Sequence, residues 1–305
     1  IGSLGVYEYG LLVLARSAFD TINNFTNIGI SATVIADMNV ERSRGNLPEL
    51  KAIFIDYALF KVVVAVILFI TLVSALFVAD VFLNNAVIDY LKILSILLLI
   101  NPLRSVITTF MQANLQFRHL GIWGALDSFF YLIAVVLLII FDQLTIPMII
   151  TATIVSQLAV FVLFLKPFIN NYQPLAHISR KKGNHIFSII KKHGKWDIFE
   201  NYITGFTKNL RPWIAGIFLS IESVAIYSVA VSLVGHTSSM LPLARVLSPI
   251  FPLNYVDRRK MHDILLRSTK YSLCIMVVVF LVSVALMPIF LEYFFPKYLP
   301  SVTLF

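Results

Sequence analysis

The sequence predicts an all-α protein, a polytopic bundle of transmembrane helices, and three observations support that prediction. Of its 305 residues, 59% are hydrophobic and only 13% are charged, and the mean hydropathy is +0.87. Soluble domains rarely reach such values, whereas polytopic membrane proteins commonly do. The apolar residues fall in runs of about 20 or more, the length that crosses a bilayer core. Finally, basic residues concentrate in every second connection between these runs, which is typical of cytoplasmic loops.

Eight apolar runs are long enough to span a membrane, and a ninth begins near Pro300. Their approximate bounds are 9–38, 52–79, 89–113, 119–141, 145–168, 197–219, 222–252 and 271–295. Most of the basic residues follow the first, third, fifth and seventh runs, so these connections are predicted to be cytoplasmic. The net charge of +8 therefore belongs to short loop segments, which argues against nucleic acid as a partner. The single cysteine, Cys274, excludes an intramolecular disulfide.

The first run carries polar residues in an ordered pattern. They recur at positions that fall on one stripe of a helix: Arg16, Asp20, Asn23, Asn24, Asn27 and Ser31. A charged side chain that faces lipid costs several kcal/mol, so such a stripe turns toward protein or water. We expect one helix over 9–38 that lines a polar space.

The predicted domain organisation is an N-terminal lobe over 1–170, a basic cytoplasmic linker over 171–196 and a C-terminal lobe over 197–305. In the linker, isoleucines alternate with lysines, which is typical of an amphipathic helix on an anionic inner leaflet. A solvated linker between two halves is the alternative. His177, His185 and His193 recur every eight residues, about 80° apart around a helix, so we predict no metal site there.

The chain resembles itself when it is shifted by 214 residues. Glu8 then aligns with Glu222 and Arg44 with Arg258, and no gap is needed across some seventy residues. The paired runs lie six apart and therefore point the same way. Two six-helix lobes related by an axis along the membrane normal produce such a pattern. On this basis we expect a complete protein with one further span before this sequence and at least two or three after it.

Several short motifs resemble a known family. They are LGVYEYG at 4–10, NIGISA at 27–32, ERSRGNLPELK at 41–51, MQANLQFRHL at 111–120, IFLSIESVAIYSVA at 217–230 and LSPIFPLN at 247–254. Together they resemble the polysaccharide or O-antigen flippases of the multidrug/oligosaccharidyl-lipid/polysaccharide exporter superfamily. The resemblance covers nearly the whole chain but does not specify the glycan.

This resemblance implies two lobes around a central cavity that works by alternating access in the cytoplasmic membrane. The implied substrate is an oligosaccharide repeat unit on a polyprenyl diphosphate, moved to the outer leaflet without an enzymatic step or a cofactor. Membrane lipids, a polysaccharide polymerase and glycosyltransferases are the expected partners. The alternatives are a drug or cation antiporter of the same superfamily and a membrane-embedded glycan polymerase or glycosyltransferase. The latter lacks support because the outer connections are short and no Asp-x-Asp or Ser/His/Asp arrangement is evident.

The residue types suit an anionic sugar headgroup. Arginine binds phosphate through two parallel hydrogen bonds and lysine acts as a point charge; the candidates are Arg16, Lys208, Arg211 and Arg245. Amides and hydroxyls suit sugar hydroxyl groups; the candidates are Asn23, Asn24, Asn27, Ser232 and Ser239. Asp20 is the candidate for proton or sodium coupling, since it lies within a span beside a cation.

Structural roles remain open for most of these residues. Arg16 and Asp20, one helical turn apart, can neutralise each other. Lys208 and Arg211 can pair with acidic residues on neighbouring helices, and Arg245 can reach the cytoplasmic headgroups. The serines can act as helix-packing contacts. For Arg104 and Asp127, which lie on successive spans, we predict a buried ion pair instead of a substrate role.

Overall fold

The structure, a computed structural model, describes residues 5–26, 29–83, 86–176, 185–191, 195–239, 258–294 and 296. Nearly all regular structure within these ranges is α-helical and no strand is present there, which confirms the all-α class. The helices are α1 (Val6–Thr26), α2 (Ser31–Ser43), α3 (Leu47–Leu83), α4 (Ala86–Ser95), α5 (Leu97–Ala113), α6 (Phe117–Ile140), α7 (Ile146–Ala176), α8 (His185–Ile189), α9 (Lys195–Phe218), α10 (Ile221–Ser239) and α11 (Arg258–Phe294).

Within the described ranges, five helical segments are long and apolar enough to cross a membrane. They are Leu47–Asp80, Ala86–Ala113, Phe117–Ile140, Ile146–Asn170 and His262–Leu286. A shorter apolar segment covers Ile221–Ser232. The protein is therefore a multi-pass membrane protein. α1 and α9 also fall on predicted spans, but their charged and polar residues make them less apolar than these five segments.

The outer surface of the bundle is apolar. On α6, for example, Leu132 is 60% exposed and Ile140 is 68% exposed. In the part of the chain that the structure describes, buried residues instead form three apolar clusters between the helices, the largest of which joins α1, α3, α4, α5 and α7. Exposed aliphatic side chains in such numbers are unfavourable in water and suit contact with lipid chains.

The first predicted span is two helices, so the expectation of one helix over 9–38 is wrong. α1 ends at Thr26 and α2 begins at Ser31. Between them, Gly29 has a φ of 72°, in the left-handed region where glycine pays no steric penalty. The polar stripe from Arg16 to Ser31 is therefore interrupted. Ser31 lies on α2, where its hydroxyl is 2.8 Å from the Tyr57 hydroxyl.

A group of buried polar side chains surrounds this helix break. We call it the polar node: Ser31, Tyr57, Lys61, Ser105 and Thr109. Lys61 is fully buried, and its Nζ donates a hydrogen bond of 2.9 Å to the carbonyl oxygen of Thr26, the last residue of α1. A cationic group at a helix C-terminus is electrostatically favourable. The Tyr57 hydroxyl also lies 3.4 Å from Ser105 Oγ and 3.3 Å from Thr109 Oγ1. The node therefore links α1, α2, α3 and α5.

A second polar contact between helices was expected from the sequence. Arg104 on α5 donates a hydrogen bond to Asp127 on α6. Its guanidinium carbon also lies 5.5 Å from the centre of the Trp123 ring, a distance at which a cation and an aromatic face attract each other. The predicted pair between these two spans is confirmed.

The basic loop between α2 and α3 also makes a specific contact. Arg42, in the last turn of α2, donates hydrogen bonds to the Ala113 carbonyl at 2.5 Å and to Asn114 Oδ1 at 2.6 Å. These acceptors lie at the end of α5, whose last carbonyls have no partner within the helix. Burial lowers the pKa of the Arg42 guanidinium. This arginine therefore ties α2 to α5.

Part of the predicted linker packs against the preceding helices. α7 continues to Ala176, and α8 packs against α3. Ile186 and Ile189 are buried in an apolar cluster with residues of α2, α3 and α5. His185 Nδ1 lies 2.9 Å from Glu49 Oε1, whereas Phe187 is 64% exposed. The two buried isoleucines are thus unavailable to a lipid surface. The residues 177–184 and 192–194 of the linker lie outside the described ranges.

One face of α1 makes close contact with α9 and α10. We call this contact the lobe seam; it consists of Gly10, Ser17 and Asn24 on α1 and Gly205, Asn209 and Ile221 opposite them. A Cβ atom at Gly10 would lie 2.2 Å from the Ile221 carbonyl oxygen, and one at Gly205 would lie 2.4 Å from the Asn24 amide nitrogen. Ser17 donates a hydrogen bond to the Asn209 carbonyl. The seven-residue spacing of the α1 residues keeps them on one face of the helix.

Candidate functional site

A cavity of about 350 Å³ lies between α1, α4, α5, α6, α7 and α10. We call it the polar cavity. Its polar lining residues are Tyr9, Arg16, Asp20, Asn101, Tyr131, Thr153, Gln157 and Ser232. Its size is within the range of small-molecule sites, about 300–1,000 Å³. The structure thus brings together three residues that the sequence indicated: Arg16, Asp20 and Ser232.

The charged groups of the cavity lie on α1. Arg16 and Asp20 are separated by one helical turn, so both project from the same face. The positive charges of Arg16 and Lys208 both act on the Asp20 carboxylate. Among the described residues, however, no ion pair within 4 Å joins Arg16 to Asp20. Arg16 therefore lines the cavity, and its guanidinium donates no hydrogen bond to the Asp20 carboxylate.

The other polar groups of the cavity come from α5, α6 and α7, and the sequence did not single them out. They are Asn101 on α5, Tyr131 on α6, and Thr153 and Gln157 on α7. Thr153 and Gln157 follow Ile149 at four-residue intervals, which places all three on one helix face. This spacing is visible in the sequence, but Thr151 and Ser156 lie close by in the same apolar run and obscure it.

Two further candidates lie near α9. Lys208 is exposed, and its charge acts on Asp20. Arg211 is also exposed and is not among the residues that line the polar cavity. Neither of these two cations lines the polar cavity, although the charge of Lys208 reaches Asp20.

Comparison with known proteins gives the family. A family model described as "polysaccharide biosynthesis protein" matches residues 4–302, nearly the entire chain. The chain belongs to the polysaccharide biosynthesis protein family. Family and fold together show a multi-pass membrane protein with a role in polysaccharide synthesis or transport. No curated protein and no solved structure matches the chain.

In this polysaccharide biosynthesis protein, the asparagines of α1 lie outside the polar cavity. Asn23 accepts a hydrogen bond of 3.1 Å from the Thr26 hydroxyl, and Asn24 packs against Gly205 in the lobe seam. Asn24 also lines a separate groove of about 300 Å³, whose other residues are mainly aromatic: Thr21, Phe25, Phe199, Tyr202, Ile203 and Phe206. The predicted sugar-contacting stripe is therefore divided between different surroundings.

The remaining candidates of the polysaccharide biosynthesis protein are Asn27, Arg245 and the two serines of the seventh predicted run. Asn27 and Arg245 lie outside the described residues. Ser239 is the last residue of α10, but its side chain is not described. Ser232 is exposed on the same helix and reaches the polar cavity, so α10 contributes at least one of the two predicted serines.

Proposed function

We propose that this protein moves a polyprenyl diphosphate carrying an oligosaccharide repeat unit across the cytoplasmic membrane by alternating access. The observation that carries the proposal is the polar cavity, which combines the Arg16 guanidinium with neutral hydrogen-bonding groups inside a membrane protein of polysaccharide biosynthesis. An ionised headgroup is very costly to transfer into hydrocarbon. A polar cavity lowers that cost, and no covalent bond has to change.

In this proposal the diphosphate is held by cations. Arg16 binds phosphate oxygens through two parallel hydrogen bonds, and Lys208 adds positive charge near Asp20. Arg211 and Arg245 are further phosphate ligands, used before or after occupation of the polar cavity. Asn23, Asn24, Asn27, Ser232 and Ser239 act on the glycan, whereas the polyprenyl chain remains against the exposed apolar helices.

The decisive experiment measures movement of the lipid-linked oligosaccharide in vesicles that contain the full-length protein. Arg16→Gln should slow it about a hundredfold, since a charge-assisted hydrogen bond contributes about 1.5–3 kcal/mol. Arg118→Gln is the matched control, because Arg118 is exposed at the start of α6 and does not line the cavity. Equal rates for the two variants would contradict the proposed role of Arg16. Absence of transport by the unchanged protein would contradict the function itself.

A cation antiporter is the second candidate function, and one observation favours it. The polar cavity contains the Asp20 carboxylate together with the rings of Tyr9 and Tyr131, groups that attract organic cations. If the antiporter is correct, vesicles will accumulate a quaternary ammonium dye against a proton or sodium gradient, and Asp20→Asn will abolish this. If the flippase is correct, no dye accumulates. In that case Asp20→Asn alters how glycan-lipid transport responds to the gradients, and an unaltered response would exclude Asp20 from coupling.

A further inference from the structure

The polar cavity has two chemically different walls. The α1 wall carries the charged pair Arg16 and Asp20. The other wall, formed by α5, α6 and α7, contains polar residues without charge; we call it the neutral wall: Asn101, Tyr131, Thr153 and Gln157. Since the two walls differ in charge, they suit different parts of a ligand that is anionic at one end and neutral at the other.

Gln157 provides the most specific observation. Its side-chain amide oxygen is buried and accepts no hydrogen bond from the residues that the structure describes. Buried acceptors nearly always have a donor, and an unmet one lowers stability. Gln157 also lines the cavity, so a rotation of its terminal amide would present this unmet acceptor to a ligand that brings a donor, as a sugar hydroxyl group does.

Thr153 lies one helical turn before Gln157 and complements it. Its hydroxyl donates a hydrogen bond of 3.0 Å to the Ile149 carbonyl, so its proton is already used and its oxygen lone pairs remain. Asn101 and Tyr131 add groups that can both donate and accept. Sugar hydroxyls also donate and accept, so the wall matches a ligand with many hydroxyl groups.

We propose that the neutral wall is the sugar subsite of the cavity. It binds hydroxyl groups of the glycan next to the diphosphate while Arg16 contacts the phosphate oxygens. This inference rests on the proposed function and adds to it residues of α5, α6 and α7, which the sequence pattern on α1 did not include.

The test compares two lipids in vesicles that contain the full-length protein. One is the lipid-linked oligosaccharide extracted from cells that make this protein; the other is a synthetic polyprenyl diphosphate without sugar. Gln157→Leu should slow movement of the glycan-bearing lipid about tenfold, and Thr153→Val about threefold, as expected for one lost hydrogen bond each. Movement of the sugar-free lipid should be unchanged in both variants.

Thr151→Val is the matched control. Thr151 lies on the same helix and its hydroxyl donates to the Pro147 carbonyl at 2.8 Å, as Thr153 does to Ile149, but Thr151 is exposed and does not line the cavity. It should move both lipids at the unchanged rate. The subsite is overturned if Gln157→Leu slows both lipids equally, or if the two threonine variants behave alike.

Direct binding separates this inference from the proposed function. Calorimetry with the extracted oligosaccharide, released from its lipid, should show about tenfold weaker binding to Gln157→Leu than to the unchanged protein. If the unchanged protein moves neither lipid, the proposed function fails while this binding difference still supports the subsite. Equal binding by both proteins overturns the subsite even when transport is observed.

Discussion

The polar node and the polar cavity are both polar regions inside a membrane protein, but they are built in opposite ways. In the node, Lys61 and Tyr57 are fully buried and are hydrogen-bonded to neighbouring helices. In the cavity, Arg16 faces a volume of about 350 Å³, and the Gln157 amide oxygen has no donor within the described ranges. The hydrogen-bonding groups of the node thus have protein partners, whereas the cavity contains an acceptor that a ligand can still satisfy.

This difference separates structural from functional polarity. A buried polar group with a protein partner stabilises the fold, because its removal leaves that partner unsatisfied. A polar group around a cavity contributes less to stability and more to binding. Substitutions in the node should therefore lower stability, and substitutions in the cavity should lower transport. Each of the following predictions tests that division.

The largest effect on stability is expected for Lys61→Met. The substitution removes the donor to the Thr26 carbonyl, and the end of α1 then has an unsatisfied acceptor. The free energy of unfolding should fall by about 2 kcal/mol, measured by denaturation in detergent. Lys166→Met is the control, because Lys166 is exposed on α7 and should change little. An unchanged stability for Lys61→Met would show that the node does not secure the helix break.

A smaller effect is expected for Tyr57→Phe. The ring remains, but the hydroxyl that lies between Ser31, Ser105 and Thr109 is lost, so stability should fall by about 1 kcal/mol. Tyr131→Phe removes a hydroxyl from the cavity instead. It should leave the denaturation midpoint nearly unchanged and slow the movement of the glycan-bearing lipid. If both variants lose the same stability, the contrast between node and cavity is wrong.

The smallest effect on stability is expected for Arg16→Gln. Since no direct ion pair joins Arg16 to Asp20 among the described residues, the substitution should change the free energy of unfolding by less than about 0.5 kcal/mol. The same detergent denaturation measures it. A loss above about 2 kcal/mol would mean that Arg16 is a structural residue, and slow transport by this variant would then no longer indicate substrate binding.

The helical bundle could be predicted from the sequence because a helix that crosses the bilayer needs a long apolar run, and such runs are easy to recognise. The sequence also identified three residues that line one cavity: Ser232, whose hydroxyl suits a sugar, and Arg16 and Asp20, since charges within apolar runs are conspicuous. The Arg104–Asp127 pair was foreseeable for the same reason.

Other features had no comparable signal. The helix break coincides with a single glycine, Gly29, and no proline marks it in the sequence. Lys61 is conspicuous as a lysine in an apolar run, but its hydrogen-bond partner is a backbone carbonyl, which every residue possesses, so the sequence does not show what it binds. Thr153 and Gln157 are neutral and therefore stand out little. Only the packing of α5, α6 and α7 shows which of the polar residues on these helices meet at a cavity.

The contact of Gly10 with Ile221 limits how α1 can move against α10. A displacement of α1 along its axis by one turn, about 5.4 Å, would bring Val6 or Leu14 to the position of Gly10, where a Cβ atom would meet the Ile221 carbonyl oxygen at 2.2 Å. Sliding of α1 along α10 is therefore sterically blocked, whereas separation of the two helices or tilting between them is not. Arg16 lies on the same helix, so the proposed alternating access would expose it to either side of the bilayer by rocking of α1 and not by translation of α1 along its axis.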